Sequence, residues 1–204
     1  MTKEKQGFGD NAIVTMATNA ADNETVGIEG MYHVECRDAA GNLKWEESFP
    51  NLVNAVGKQL MLDTLLRTSG TYTTVGPFLG LVNGATPAFT AADTMSSHGG
   101  WTEFINYTVG GSGVRGTAVF PSGATSSGTT PSNVTTATAT AITYTINGAG
   151  GTVGGCFLVT GAGASSSFSP GNTGILYSAG AFTTAKVTTS GDTVSVTYST
   201  TATS

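Results

Sequence analysis

The sequence predicts a mainly-β protein: a β-sandwich with jelly-roll or immunoglobulin-like Greek-key wiring, one main α-helix and an extended N-terminal arm. Three observations carry this expectation. Of 204 residues, 36 are threonine and 18 are serine, and β-branched threonine suits a pleated surface better than a helix interior. Only 10% of residues are charged, against roughly a quarter in an average domain, so hydroxyl groups supply most of the polar surface. Apolar and polar residues also alternate in short runs set off by turn residues about every ten positions, the spacing of a sandwich.

Residues 1–27 are polar and rich in Asn, Ala and Thr, with one brief apolar stretch. Such a segment cannot fold alone and reads as an arm held by a partner. Its apolar residues Phe8, Ala12, Ile13, Val14 and Met16 are the candidate partner contacts. Residues 28–204 form the sandwich domain, although the length also allows two small domains. Tyr32, Val34 and Cys36 alternate with polar neighbours, and after turn residues 38–42 the pattern resumes with Leu43, Trp45 and Phe49. This is a hairpin with one buried face, closed by Pro50.

Asn54 is placed to cap a helix over 55–67, with Val56, Leu60, Met61, Leu65 and Leu66 at helical spacing and Gly70 beyond its end. A strand follows at 78–82, then a loop with Pro87 and a short helix at 91–98 stopped by two glycines. Strands are expected at 101–109 and 117–120. Residues 121–136 have the composition of a Ser/Thr/Gly-rich loop or linker, and ATATAITYTI after them alternates with a period of two. Strands at 151–160 and 175–182 flank a second Gly/Ser loop at 161–174. A final hairpin is expected to pair 185–188 with 193–198 across Ser190, Gly191 and Asp192, with Val194, Val196 and Tyr198 on one face.

Net charge is −5, and no basic cluster occurs. That argues against a nucleic-acid partner held through its phosphates and against an anionic membrane surface. No signal-peptide run follows the N-terminal lysines, so synthesis in the cytoplasm is expected. The charge is uneven: residues 1–115 carry 12 acidic and 7 basic residues, whereas residues 116–204 carry only Lys186 and Asp192. A nearly neutral hydroxyl surface suits a protein that lives in an assembly. Cys36 and Cys156 could form one bridge, but buried free thiols are the better reading of two distant cysteines.

Candidate chemistry is thin. The string Gly111, Ser112, Gly113, Val114, Arg115, Gly116 satisfies a dinucleotide-binding pattern, yet strand and turn residues follow where a helix N-terminus would have to bind the pyrophosphate. Asp93, Ser97 and His98 offer a carboxylate, a hydroxyl and an imidazole, but without a nucleophile elbow the favoured roles are capping for Asp93 and a helix C-terminus for His98. His33 and His98 are far apart, so no metal is expected. Glu46 and Glu47 face opposite sides of a strand and read as exposed hairpin charges. Trp45 and Trp101 could stack on a sugar ring, but core roles are favoured. Asn23, Asn106 and Asn133 open chance glycosylation sequons in a threonine-rich chain. No catalytic residue, cofactor or metal is expected.

In order along the chain, YHVECRDAAGNLKWEESFPNLV, GKQLMLDTLL, GPFLGLVNG, AADTMSSHGGWTEF, GILYSAGAF and SGDTVSVTYS together resemble a family of tailed-bacteriophage virion structural proteins. The resemblance implies a non-enzymatic component of the particle, made in the host cytoplasm. The preferred role is a capsid decoration or cement protein on the capsid surface. It would dock on the major capsid protein and stabilise the shell, as a homo-oligomer, dimer or trimer. The alternative is a host-recognition, carbohydrate-binding module of a tail or head fibre, with its ligand site on loops 84–103 or 161–174. The arm and residues 121–136 lie outside the resemblance.

Overall fold

The computed structural model describes residues 27–66, 75–120, 125–127, 130–135, 141–168 and 172–203. Two antiparallel sheets pack into the expected β-sandwich. The first contains β1 (Gly27–Arg37), β2 (Leu43–Pro50), β6 (Tyr107–Thr108), β8 (Thr125–Ser127), β9 (Thr130–Thr135), β10 (Ile142–Ile146) and β13 (Thr193–Thr203). The second contains β3 (Leu52–Val53), β4 (Phe78–Asn83), β5 (Thr102–Phe104), β7 (Gly116–Thr117), β11 (Gly151–Thr160) and β12 (Ile175–Thr188). Helix α1 (Ala55–Leu66) joins β3 to β4.

β13 organises the first sheet. It pairs with β1 from Gly27↔Thr203 to Arg37↔Thr193, while β10 and β9 share its other edge. The alternation read from the sequence is the alternation observed: Tyr32, Val34 and Cys36 of β1 and Val194, Val196 and Tyr198 of β13 are all buried. They meet Leu79, Leu81, Cys156, Leu158 and Phe182 of the second sheet in one core. Polar tips tie the sheets across this core. Tyr32 Oη and Ser178 Oγ lie 2.9 Å apart, and Tyr144 Oη donates to the Leu79 carbonyl at 2.7 Å. Cys36 and Cys156 are buried free thiols. Burial pushes Cys36 up to about 11 and raises Cys156 as well, which leaves both unreactive.

The second sheet is covered on both faces. Its outer side carries Val82, Phe157, Val159 and Leu176, over which the loop after β4 lays Met95 and Trp101 as a second core. This explains the near-continuous apolar run of β11, which lacks the period-two pattern of a strand with one wet face.

Several local expectations are corrected. Residues 91–98 form turns and a Thr94↔Ser97 bridge instead of a helix. The Asp93 carboxylate accepts from Thr90 N, Thr90 Oγ1 and Trp101 Nε1, and such side-chain bonding competes with helix formation. The final hairpin does not exist as one ladder, because residues 185–188 belong to β12 of the second sheet and 193–198 to β13 of the first. The turn at Ser190–Asp192 is therefore a corner between sheets, with Gly191 at φ +89°, a conformation costly for any other residue. Residues 101–109 likewise split into β5 and β6 of different sheets. The loop read at 121–136 contains strands β8 and β9, which extend the first sheet along β13. Hydroxyl-rich composition indicated a loop there, but threonine is equally suited to an edge strand.

Asn54 caps α1 only through its carbonyl, which accepts from Lys58 N; its side-chain Nδ2 donates to the Thr90 carbonyl instead. Gly57 lets the helix approach β12, since a Cβ there would stand 2.6 Å from the Tyr177 carbonyl oxygen. Leu43, expected inside, is exposed. Glu47, expected outside, faces inward to bind Lys186 Nζ at 2.8 Å and the Thr183 amide at 2.7 Å.

Two ion pairs generate predictions. Arg115 has no exposed side-chain surface and donates from Nε and Nη2 to the two oxygens of Glu103, both at 2.7 Å. Its Nη1 donates to the Ser165 carbonyl at 2.9 Å and so pins loop 161–168. Arg115→Met is expected to cost about 3–5 kcal/mol by stranding Glu103, and Arg115→Met with Glu103→Leu to recover much of it; urea unfolding measures both. Asp192 accepts from Lys44 Nζ at 2.6 Å and the Thr189 amide at 2.8 Å. Burial raises its carboxyl, but those two donors outweigh burial and hold it below the usual range. Its folded value lies below its unfolded one, so its stabilisation is complete above about pH 4 and is lost as pH falls through the folded value. Asp192→Asn is expected to flatten the acid side of the stability profile, and an unchanged slope between about pH 5 and pH 2 would contradict this assignment.

Candidate docking surface and ligand pocket

The predicted contacts Phe8, Ala12, Ile13, Val14 and Met16 lie outside the described residues. Where their segment joins the sandwich is described. Pairing of β1 with β2 stops at Met31↔Pro50, so β1 runs on from Gly30 back to Gly27 without a β2 partner among the described residues. A groove of about 460 Å³ opens there, lined by Glu29, Met31, Pro50, Asn51, Ser199 and Thr201.

Helix α1 lies against the same end. Tyr177 Oη touches Met61 Sδ at 3.7 Å and Thr200 Oγ1 at 3.5 Å, and Thr200 Oγ1 donates to the Glu29 carbonyl at 3.0 Å. Among the described side chains of the helix, Val56, Leu60, Met61 and Asp63 are half-buried, and only Gly57 is a buried position. Leu62 is 58% and Leu66 74% exposed, and Met31, which lines the groove, is 42% exposed. A helix normally turns such leucines to a core. Sequence reasoning placed Leu66 at helical spacing with Val56, Leu60, Met61 and Leu65, and such spacing marks an apolar stripe without saying whether its partner is in the same chain.

The second feature joins the two loops that the sequence marked for a ligand. Met95, His98 and Trp101 from the first, Phe168 and Asn172 from the second, and Glu103 of β5 line a pocket of about 220 Å³. His98 stacks on Trp101 with ring centres 3.9 Å apart. His98 Nδ1 lies 3.0 Å from the Trp101 carbonyl; a carbonyl only accepts, so Nδ1 carries a proton. Burial pushes the Glu103 carboxyl above its ordinary value, against the opposing pull of Arg115.

Asp93 serves Thr90 and Trp101, and His98 serves the Trp101 carbonyl, so the bonds of both go to loop structure and none joins Ser97 to His98. Asp93 is not a helix cap and His98 is not at a helix end, because no helix forms there. β7 follows the glycine string at 111–116, where a dinucleotide site needs a helix. Among the described residues, no group of three His, Cys, Asp or Glu could hold a metal ion. Trp101 is buried in the second core, and Trp45 is half-buried, edge-on to Phe182 at 5.4 Å. No helix is long and apolar enough to cross a membrane among the described residues.

The exposed leucines should be separable from folding. Leu62→Asp and Leu66→Asp are expected to change unfolding free energy by less than about 0.5 kcal/mol, whereas Leu79→Ala in the core should cost about 2–5 kcal/mol. Chemical denaturation of the three variants measures this.

Comparison with known proteins adds no relative: no protein-family model, no curated protein and no solved structure matches this chain.

Proposed function

We propose that this chain is a bacteriophage virion structural protein that decorates the capsid, docking on major capsid subunits through the end of the sandwich where the arm joins β1. The observation that carries the reading is the pair of leucines on α1, Leu62 and Leu66, left exposed, together with the groove at the start of β1. An arm that orders across neighbouring subunits, together with an apolar helix face, would bury surface only when the shell has the right geometry. Binding of that kind stabilises the assembled state by mass action and couples ordering to assembly. The ordered resemblance of the sequence to virion proteins points the same way.

The reading as a host-recognition module keeps one specific observation in its favour. Met95, His98 and Trp101 of loop 84–103 and Phe168 and Asn172 of the second loop line one pocket with Glu103. Copy number separates the two roles, since a decoration protein is present in numbers comparable to the shell subunits and a fibre-tip module in few.

Removal of residues 1–26 is expected to weaken association with purified shells at least tenfold, about 1.4 kcal/mol, and Leu62→Asp with Leu66→Asp to weaken it further. Undiminished co-sedimentation of the doubly altered, truncated protein with shells would refute the docking role.

A further inference from the structure

We infer that the pocket between loops 84–103 and 161–174 is a binding site for a single neutral saccharide unit. At about 220 Å³ the pocket is smaller than the roughly 300–1,000 Å³ of clefts for drug-sized ligands, which suits one ring and not a chain. Its accessible wall is mixed: Phe168 and His98 are half-buried rings, Asn172 is an exposed amide, and Glu103 is a carboxylate with 12% of its side chain exposed.

Glu103 defines the ligand class. Its charge is balanced by Arg115, so the site offers no net attraction to a cation and no free positive group to an anion. Each carboxylate oxygen accepts one bond from Arg115, at 2.7 Å, and each has a second lone pair able to accept from a hydroxyl. His98 Nδ1 donates to the Trp101 carbonyl and leaves Nε2 as the ring nitrogen for a ligand hydroxyl, while the Asn172 amide both donates and accepts. A ring with several hydroxyl groups and an apolar C–H face matches this set, with the face available to Phe168. A purely apolar ligand would strand the carboxylate and amide without partners.

The walls are also built to hold their shape. Trp101 is fixed by its Nε1 bond to Asp93 at 3.1 Å and by packing on Phe157 with ring centres 5.2 Å apart. Arg115 fixes Glu103 and binds the loop that carries Phe168, donating to the Ser165 carbonyl from its side chain and to the Ser166 carbonyl from its amide. Bringing a carboxylate and two loops together before the ligand arrives lowers the ordering cost of binding.

The inference deepens the host-recognition reading and rests on it only for the source of the sugar; it is compatible with docking through the arm end. Glucose, galactose, mannose and N-acetylglucosamine would be titrated separately into the full-length protein, followed by amide chemical shifts. At least one is expected to give saturable shifts at Trp101, Glu103 and Asn172. Asn172→Ala, at an exposed position, should fold normally and weaken binding at least fivefold; Glu103→Gln breaks the buried ion pair with Arg115 and should both lower stability and weaken binding at least fivefold in protein that amide shifts show to be folded. The inference is overturned if none of the four saturates up to about 50 mM, if an anionic sugar acid binds more tightly than all of them, or if neither substitution changes the affinity. Intact sugar binding without adsorption to host cells would instead reject host recognition and leave the pocket assignment standing.

Discussion

The first sheet depends on β13. This strand holds β1 along one edge for its whole length, and β10 and β9 pair with Thr193–Val196 and Ser199–Ala202 along the other, so most of its backbone groups are paired on both sides as a buried strand requires. Its inward residues Val194, Val196 and Tyr198 also form a central part of the core. β1 and β13 come from opposite ends of the described chain. A sheet built on such pairing bears a large loop-closure cost before its contacts form, which is the physical basis of slow folding in all-β proteins.

A second organising interaction is the pair of Arg115 with Glu103. In isolation a buried ion pair is weak evidence for stability, because desolvation offsets attraction. Here it has a positional consequence. The guanidinium spans β5 and loop 161–168 and lies over the Phe157 ring at 5.2 Å, so one side chain sets the distance between elements that form the pocket. The glycine string around it, which resembled a phosphate loop in sequence, is the path by which the chain reaches this arginine.

Much of the sandwich was legible because period-two burial leaves a direct trace. Tyr32, Val34 and Cys36, and Val194, Val196 and Tyr198, announced their faces. Turn chemistry was less informative: Ser190, Gly191 and Asp192 signalled a turn, but a turn within a sheet and a corner between sheets use the same residues. The false helix at 91–98 had acceptable composition, and only the bonds of Asp93 to Thr90 and Trp101, which depend on tertiary contact, exclude it. The pocket was half visible. Loop 161–174 stood out by its Gly/Ser composition, yet nothing local indicates that Glu103 and Arg115 meet. The exposure of Leu62 and Leu66 was invisible, since spacing carries no information about what lies opposite a helix.

The two charged residues of the second half, Lys186 and Asp192, both turn toward β2, where they bind Glu47 and Lys44. Their fields are therefore largely neutralised at short range, and the rest of residues 116–204 carries no charged side chain. A surface of that kind has no long-range Coulomb component for ions to screen. Whatever meets it must be recognised at contact distance, by shape and by hydroxyl geometry, and its association should be nearly indifferent to ionic strength. Encounters there would lack electrostatic steering and proceed at the modest rates set by orientation alone.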